Sequence, residues 1–209
     1  VHNRIMRTND TRDHGGIVGG ALTVALLITL AVQNAVPPMA TDMYSAAFPQ
    51  ITADLATNST MLGFTLTTFF VGYASGQVLG GAISDQIGRR RPIVAGGIIA
   101  LVGSMICVFT PGIWVLLVGR VFQGLGGGVA SSVGRAILVD VAHGKTLARA
   151  MSLIQAIVGF APMLAPVLGA FIITHATWRA VFWALAAFTL LMAALAWFVV
   201  PESLPKERR

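Results

Sequence analysis

Residues 60–92 read TMLGFTLTTFFVGYASGQVLGGAISDQIGRRRP. The first part, 60–83, carries no Asp, Glu, Lys or Arg, and the stretch closes on Asp85 and the triplet Arg89-Arg90-Arg91. A hydrocarbon core about 30 Å thick is crossed by about 20 mostly apolar residues in a helix. Inside lipid a helix satisfies its backbone hydrogen bonds within one segment, whereas a barrel strand needs neighbours and a dyad alternation that this run does not have. The stretch therefore reads as a transmembrane helix whose cations fix one end on the cytoplasmic side.

Working outward, the same pattern recurs. Spans over 17–41, 92–109, 113–139, 150–173 and 180–200 join 60–83 to make six. Breaks at Thr110-Pro111-Gly112 and His175-Ala176-Thr177 carry turn chemistry, and Pro92 suits a first helical turn, where its missing N–H is no loss. Cations alternate by loop: Arg4, Arg7 and Arg12 precede the first span, Arg89 to Arg91 follow the second, Lys145 and Arg149 follow the fourth, and Lys206, Arg208 and Arg209 follow the sixth. The intervening loops offer only Arg179. The expectation is an all-α membrane protein, a six-helix transmembrane bundle with both termini cytoplasmic. It divides into a cytoplasmic tail over 1–16, the bundle over 17–200, and the start of a central cytoplasmic linker over 201–209. The first span reads as a retained helix rather than a signal peptide. Because the chain starts at Val1 and stops soon after the sixth span, it is expected to be an N-terminal fragment.

Composition agrees. The chain is 56% hydrophobic and 11% charged, against about 25% charged in soluble domains. Its net charge of +6 sits in loop clusters, a topology signal rather than a nucleic-acid surface. Cys107 lies alone in an apolar run, so no intrachain disulfide is available and it reads as a packing residue. His2, His14, His143 and His175 fall in tails and loops, and no metal or cofactor is expected. No P-loop or nucleophile triad is present, so no enzyme activity is expected.

Charges in hydrocarbon cost at least about 2.5–3.5 kcal/mol and need a reason. Asp42, at the outer end of the first helix, is either a carboxyl facing a wet cavity or a solvated helix-end residue. Gln33 and Asn34, two turns deeper, are expected to face the interior, for substrate contact or for helix–helix hydrogen bonding. Arg120 lies in the fourth span, with Gln123 one turn away on the same face. It cannot lose its proton and must find an acid, carbonyls or water. At the cytoplasmic ends of the second and fourth spans, Asp85, Arg135 and Asp140 are candidates for a charge network; the alternative is a solvated loop that only fixes topology. Gly72, Gly76 and Gly80 on the second helix, and Gly124 and Gly128 on the fourth, predict close helix packing. Pro162 and Pro166 predict a kink in the fifth helix.

These segments resemble the major facilitator superfamily. Residues 81–91, from Gly81 through Ser84, Asp85 and Gly88 to Arg89, Arg90 and Arg91, look like its signature loop G-x-L-[AS]-D-[RK]-x-G-R-[RK], with Ile83 and Gln86 as departures. Leu116, Arg120, Gln123, Gly124 and Gly126 resemble the fourth-helix motif of its proton antiporters. Asp42-Met43-Tyr44 followed by Pro49 resembles the first-helix motif D-M-Y-x-P-x-x-P, with Ala46 in place of its first proline. Ala161, Pro162, Ala165, Pro166 and Gly169 are similar to the antiporter motif in the form of the Bcr/CflA multidrug-efflux group, with Ala170 where a second Gly is usual. Trp178-Arg179-x-x-Phe182 also fits that group.

The resemblance implies the N-terminal six-helix half of a twelve-helix transporter that works by alternating access, lacking its C-terminal half. By resemblance, Asp42 and Arg120 couple protons, and Gly81, Asp85, Gly88, Arg89 and Arg90 form the gating loop. Ala161, Pro162, Ala165, Pro166 and Gly169 set a kink that limits proton leak. Gln33, Asn34, Asp42, Tyr44 and Gln123 are the candidate substrate-cavity residues. The function expected is proton-coupled export of a small-molecule substrate, a drug above all, across a bacterial inner membrane. Export of a metabolite such as an amino acid or sugar, and a truncated component that transports nothing, stay open as alternatives.

Overall fold

The computed structural model describes residues 23–203. The tail over 1–16, the first residues of the first span, and Lys206, Arg208 and Arg209 lie outside the described residues.

Among the described residues seven helices follow one another: α1 (Val24–Ser45), α2 (Phe48–Asp54), α3 (Ser59–Ile87), α4 (Arg90–Val108), α5 (Ile113–Val141), α6 (Gly144–His175) and α7 (Arg179–Val199). Polar caps start two of them. Thr23 Oγ1 accepts from the Leu26 N–H at 3.2 Å, and Asn58 Oδ1 accepts from that of Met61 at 2.9 Å. Gly88 ends α3 at φ +98°, a conformation that side-chain-bearing residues rarely adopt. Only residues 88 and 89 separate α3 from α4, and only 142 and 143 separate α5 from α6.

Five of the six long helices, α1 and α4 to α7, are long and apolar enough to cross a membrane by length and composition. The sixth, α3, has 29 residues, about 43 Å at about 1.5 Å per residue. Its hydroxyls dilute its hydropathy, yet they are satisfied within the helix. Thr68 Oγ1 donates to the Thr65 carbonyl at 3.0 Å and Ser75 Oγ to that of Val71 at 2.8 Å. The bundle thus has its six spans.

Several features differ from expectation: α1 and α3 each run four residues past the expected ends at 41 and 83. The helix α6 begins at Gly144, six residues before the expected span, because a helix has no reason to stop at the headgroups while its carbonyls still find donors. The unforeseen α2 sits between α1 and α3, with Pro49 in its first turn.

At the centre is α5. It packs against α3 on one side and α4 on another, while α1 rests on α5, α6 and α7, and α4 rests on α7. Small residues set the spacing. A methyl group at Gly76 would run into the Leu125 carbonyl, and one at Gly124 into the Phe69 carbonyl. Backbones in contact gain dispersion energy that lipid-facing side chains cannot supply. The outer surface is apolar: Trp114, Met163, Val167 and Phe198 are all at least 66% exposed, which suits acyl chains and not water.

Candidate functional site

Three polar sites interrupt the apolar interior. The first surrounds Arg120, fully buried on α5. Its Nη1 donates to the Ala40 carbonyl of α1 at 2.9 Å and to Gln123 Oε1. Gln123 Nε2 in turn donates to Ser104 Oγ on α4 at 2.9 Å. The guanidinium lies between two rings, 4.6 Å from the centroid of Tyr44 and 4.5 Å from that of Phe69. Such stacking contributes about 2 kcal/mol or more when desolvated. The Tyr44 hydroxyl is fixed by Thr65 Oγ1 at 2.8 Å. No carboxylate joins this group among the described residues, and Arg120 Nε and Nη2 have no partner. Each unsatisfied buried donor costs about 1–3 kcal/mol, more for a charged group.

Asp42 lies two residues beyond Ala40 on α1, half-buried, with Oδ1 accepting from Thr41 Oγ1 at 3.2 Å. The structure brings Arg120 to the α1 backbone beside Asp42 rather than to its carboxylate.

The second site is the cytoplasmic end of α3, α4 and α5. Arg89 is 7% exposed. Its Nε donates to Asp140 Oδ2 at 2.9 Å and its Nη1 to Ser84 Oγ at 2.7 Å and to Asp85 Oδ1. Burial works against its charge, but the hydrogen bonds to Asp140 and Asp85 outweigh it and push the Arg89 pKa up. The chain after α7 closes over this cluster. Glu202 Oε1 accepts from the Arg89 backbone N–H at 2.8 Å, and Ser203 Oγ donates to Asp140 Oδ2 at 3.1 Å.

Arg89, not Arg135, is the hub here, which corrects the expected network. Arg135 and Asp140 are five residues apart, about 140° around the helix, so they face different ways. Arg135 Nη1 instead donates to Ser131 Oγ, at 3.3 Å. Of the signature-loop residues, Asp85, Gly88 and Arg89 meet in this cluster. Gly81 lies a turn deeper, its carbonyl accepting from Ser84, and Arg90 turns away toward α7.

The third site is a hydrogen-bonded chain at mid-bundle. Tyr73 OH donates to Ser131 Oγ at 3.1 Å, and Ser131 Oγ donates to Asn34 Oδ1 at 2.9 Å. Beside it a cavity of about 160 Å³ is lined by Asn34, Arg135 and Gln155 among Gly134, Leu138, Met151 and Ile154. Of the expected cavity residues, the structure brings only Asn34 to this space. Gln33 is fully buried and donates to the Met192 carbonyl at 3.0 Å, while Tyr44 and Gln123 belong to the Arg120 site.

Tyr73, Ser131, Ser104, Thr65 and Glu202 join these sites without a sequence signal of their own. Pro37 and Pro38 lie inside α1, three and four residues beyond Asn34, and are a helix-breaking signal that the sequence does carry. On α6, Ala161, Ala165 and Gly169 form the buried seam against α1, with Pro162 and Pro166 on the exposed side, and the helix runs unbroken through both prolines. No group of three or more His, Cys, Asp or Glu that holds a metal is found among the described residues.

The family model of the Major Facilitator Superfamily matches residues 30–209. Among curated relatives, the MFS-type transporter YdgK of Bacillus subtilis is 33% identical over 192 residues, covering 91% of this chain and 48% of the relative. A bicyclomycin resistance protein homolog of Haemophilus influenzae is 31% identical, covering 90% and 47%. The multidrug resistance protein MdtL of Citrobacter koseri is 32% identical, covering 80% and 43%. The chain thus spans about half the length of the curated relatives it matches. Among solved structures, a proton:xylose symporter, XylE, superposes with a TM-score of 0.75 at 18% identity, covering 86% of this chain and 45% of that one. The human organic anion transporter MFSD10 gives 0.71 at 17%, covering 88% and 49%. A six-span bundle with a buried fourth-span arginine, a family match over most of the chain and half-length relatives lead to one assignment: this is a multi-pass membrane protein that belongs to the major facilitator superfamily.

Proposed function

We propose that this chain forms the N-terminal half of a proton-coupled exporter of small drugs, working by alternating access with a six-helix C-terminal half. The observation that carries the reading is Arg120: a permanent cation, wholly buried, without an acid, and bonded to α1 two residues from Asp42. A cation so held acts on any acid that approaches it, and its distance from Asp42 changes whenever α1 slides on α5. That is the coupling an antiporter needs, since the same carboxyl must hold a proton in one state and release it in the other. Pro37 and Pro38 remove two helix hydrogen bonds from α1 below this point, which gives it a place to bend.

Cargo would enter by the cavity beside Asn34 and Arg135, which lies toward the cytoplasmic end of α5. It is mostly apolar, with Asn34, Arg135 and Gln155 as its polar groups, a composition that suits small, largely apolar molecules. The resistance proteins among the relatives favour drugs over sugars or amino acids as that cargo. In this reading the Arg89 cluster is the cytoplasmic latch, tying α3, α5 and the segment after α7 into one unit.

The test is resistance to bicyclomycin and drug-driven proton release in a bacterial host stripped of its own pumps. The chain is expressed alone and joined to a six-helix C-terminal half. The joined form is expected to raise resistance and the chain alone is not. A joined form that moves neither drug nor protons removes the exporter reading. Asp42→Asn is expected to abolish the pH dependence of transport; an unchanged pH profile removes the proton role from Asp42.

A further inference from the structure

A slot of about 380 Å³ lies at the cytoplasmic end of the bundle, between the first turns of α4 and the last turn of α7. Arg90, Arg91, Val94, Ala95, Ile98 and Trp197 line it. On α4, positions 91, 94, 95 and 98 share one helical face, so the lining runs from a cation to an apolar floor over about 10 Å. Arg90 is anchored across the top: its Nη2 donates to the Trp197 carbonyl at 2.8 Å, and its guanidinium lies 5.3 Å from the indole centroid. Arg91 is exposed, and among the described residues neither arginine has a carboxylate partner. The carboxylates recorded at the start of α4 go to Arg89: Asp85 and Asp140 to its side chain and Glu202 to its backbone N–H.

This arrangement differs from the Arg89 cluster, where two acids neutralise the cation. Two cations without a carboxylate partner among the described residues stand at the level where the positive-inside rule sets the headgroups, above an apolar groove that opens outward. Along the same helix faces, Val102 follows Ile98 by one turn and Leu190 precedes Trp197 by two, each about half exposed. Water has no favourable place there and acyl chains do. A soluble anion would use the arginines and leave the groove empty; a neutral lipid would use the groove and leave the arginines unpaired. An anionic phospholipid uses both.

We propose that the slot holds one anionic phospholipid of the cytoplasmic leaflet. Its phosphodiester bonds to Arg90 and Arg91, and one acyl chain lies along Val94, Ala95 and Ile98 against Trp197. The proposal is independent of the drug-export reading, since it needs neither a cargo nor a second half.

The test uses the chain in nanodiscs of phosphatidylcholine containing a minor share of phosphatidylglycerol with brominated acyl chains. Bromine quenches indole on contact, and the Trp197 signal is the difference between the native chain and Trp197→Phe. Brominated phosphatidylglycerol is expected to quench that signal at a lower share than brominated phosphatidylcholine, by about fivefold for each arginine. Arg90→Gln with Arg91→Gln is expected to erase the preference. Ala95→Phe, which fills the groove and leaves both charges, is expected to weaken quenching by either lipid. Equal quenching by the two lipids in the native chain overturns the proposal without recourse to any variant. So does full reversal of the phosphatidylglycerol preference by soluble inorganic phosphate at constant ionic strength, which would make the site one for the free anion alone.

Discussion

Two buried arginines on two ends of one bundle are treated in opposite ways. Arg89 is held by Asp85 and Asp140, a serine and the segment that follows α7. Arg120 is held by one carbonyl, one amide and two aromatic faces, with two of its nitrogens left without a hydrogen-bond partner. The first is neutralised in place and binds segments together. The second keeps its charge in a medium that cannot screen it. A neutralised cation serves cohesion; one without a carboxylate carries an electrostatic cost that its carbonyl, amide and ring contacts offset only in part.

The same substitution at both sites is the way to break this comparison. The largest effect is expected from Arg120→Met on transport in the joined form: drug-driven proton release falls to background, while the thermal midpoint in detergent holds or rises because an unpaired charge leaves the interior. A marked fall in the midpoint would mean that Arg120 is a structural tie like Arg89. Arg89→Met is expected to act on stability as well. It strands two acids and lowers stability by about 2 kcal/mol, less than a fully buried pair because Asp85 is 66% exposed, read as a lower midpoint for chemical unfolding. A third measurement sharpens the Arg89 side alone. Gly88→Ala meets both a positive φ and the Glu202 carboxylate, and about 1 kcal/mol of stability is expected to go. If Glu202→Ala leaves the cost of Gly88→Ala unchanged in a double-mutant cycle, the Glu202 side chain is not what the new methyl group meets.

The smallest effect belongs to Asp54, an ordinary surface acid for contrast. Hydrogen bonds from Arg179 and Trp178 hold its pKa below the usual 3.8. Because the folded value is the lower one, its contribution is complete above the unfolded pKa and is lost as pH falls through the folded value. Titration between those limits is expected to release the Trp178 side chain, followed by its fluorescence, and Asp54→Asn is expected to remove that step.

The six spans were legible because hydrocarbon is an exacting solvent: a run such as 60–83 without charge, closed by three arginines, has few other readings. The short α2 and the early start of α6 were not, because neither is dictated by the bilayer. The pairing of Arg120 with Gln123 follows from helical spacing, and so it was visible. Arg89 with Asp140 joins residues 51 apart, and only the packing of α3 on α5 creates that contact. Gln33 and Asn34 are adjacent in sequence, yet neighbours on a helix point about 100° apart. One reaches the α7 backbone and the other the α5 serine. Sequence marked which groups lipid forbids; it could not say which neighbour each one meets.

The joints at 88–89 and 142–143 carry a mechanical consequence. Two intervening residues give three Cα steps of about 3.8 Å, about 11 Å in all. Packed helix axes already stand about 8–10 Å apart. The tethers are close to taut, so the inner ends of α3 and α4, and of α5 and α6, have little slack in which to part. Displacement at that end must travel through the assembly as a pivot of linked rods, with any large opening found at the outer rim or along a seam that no short tether spans.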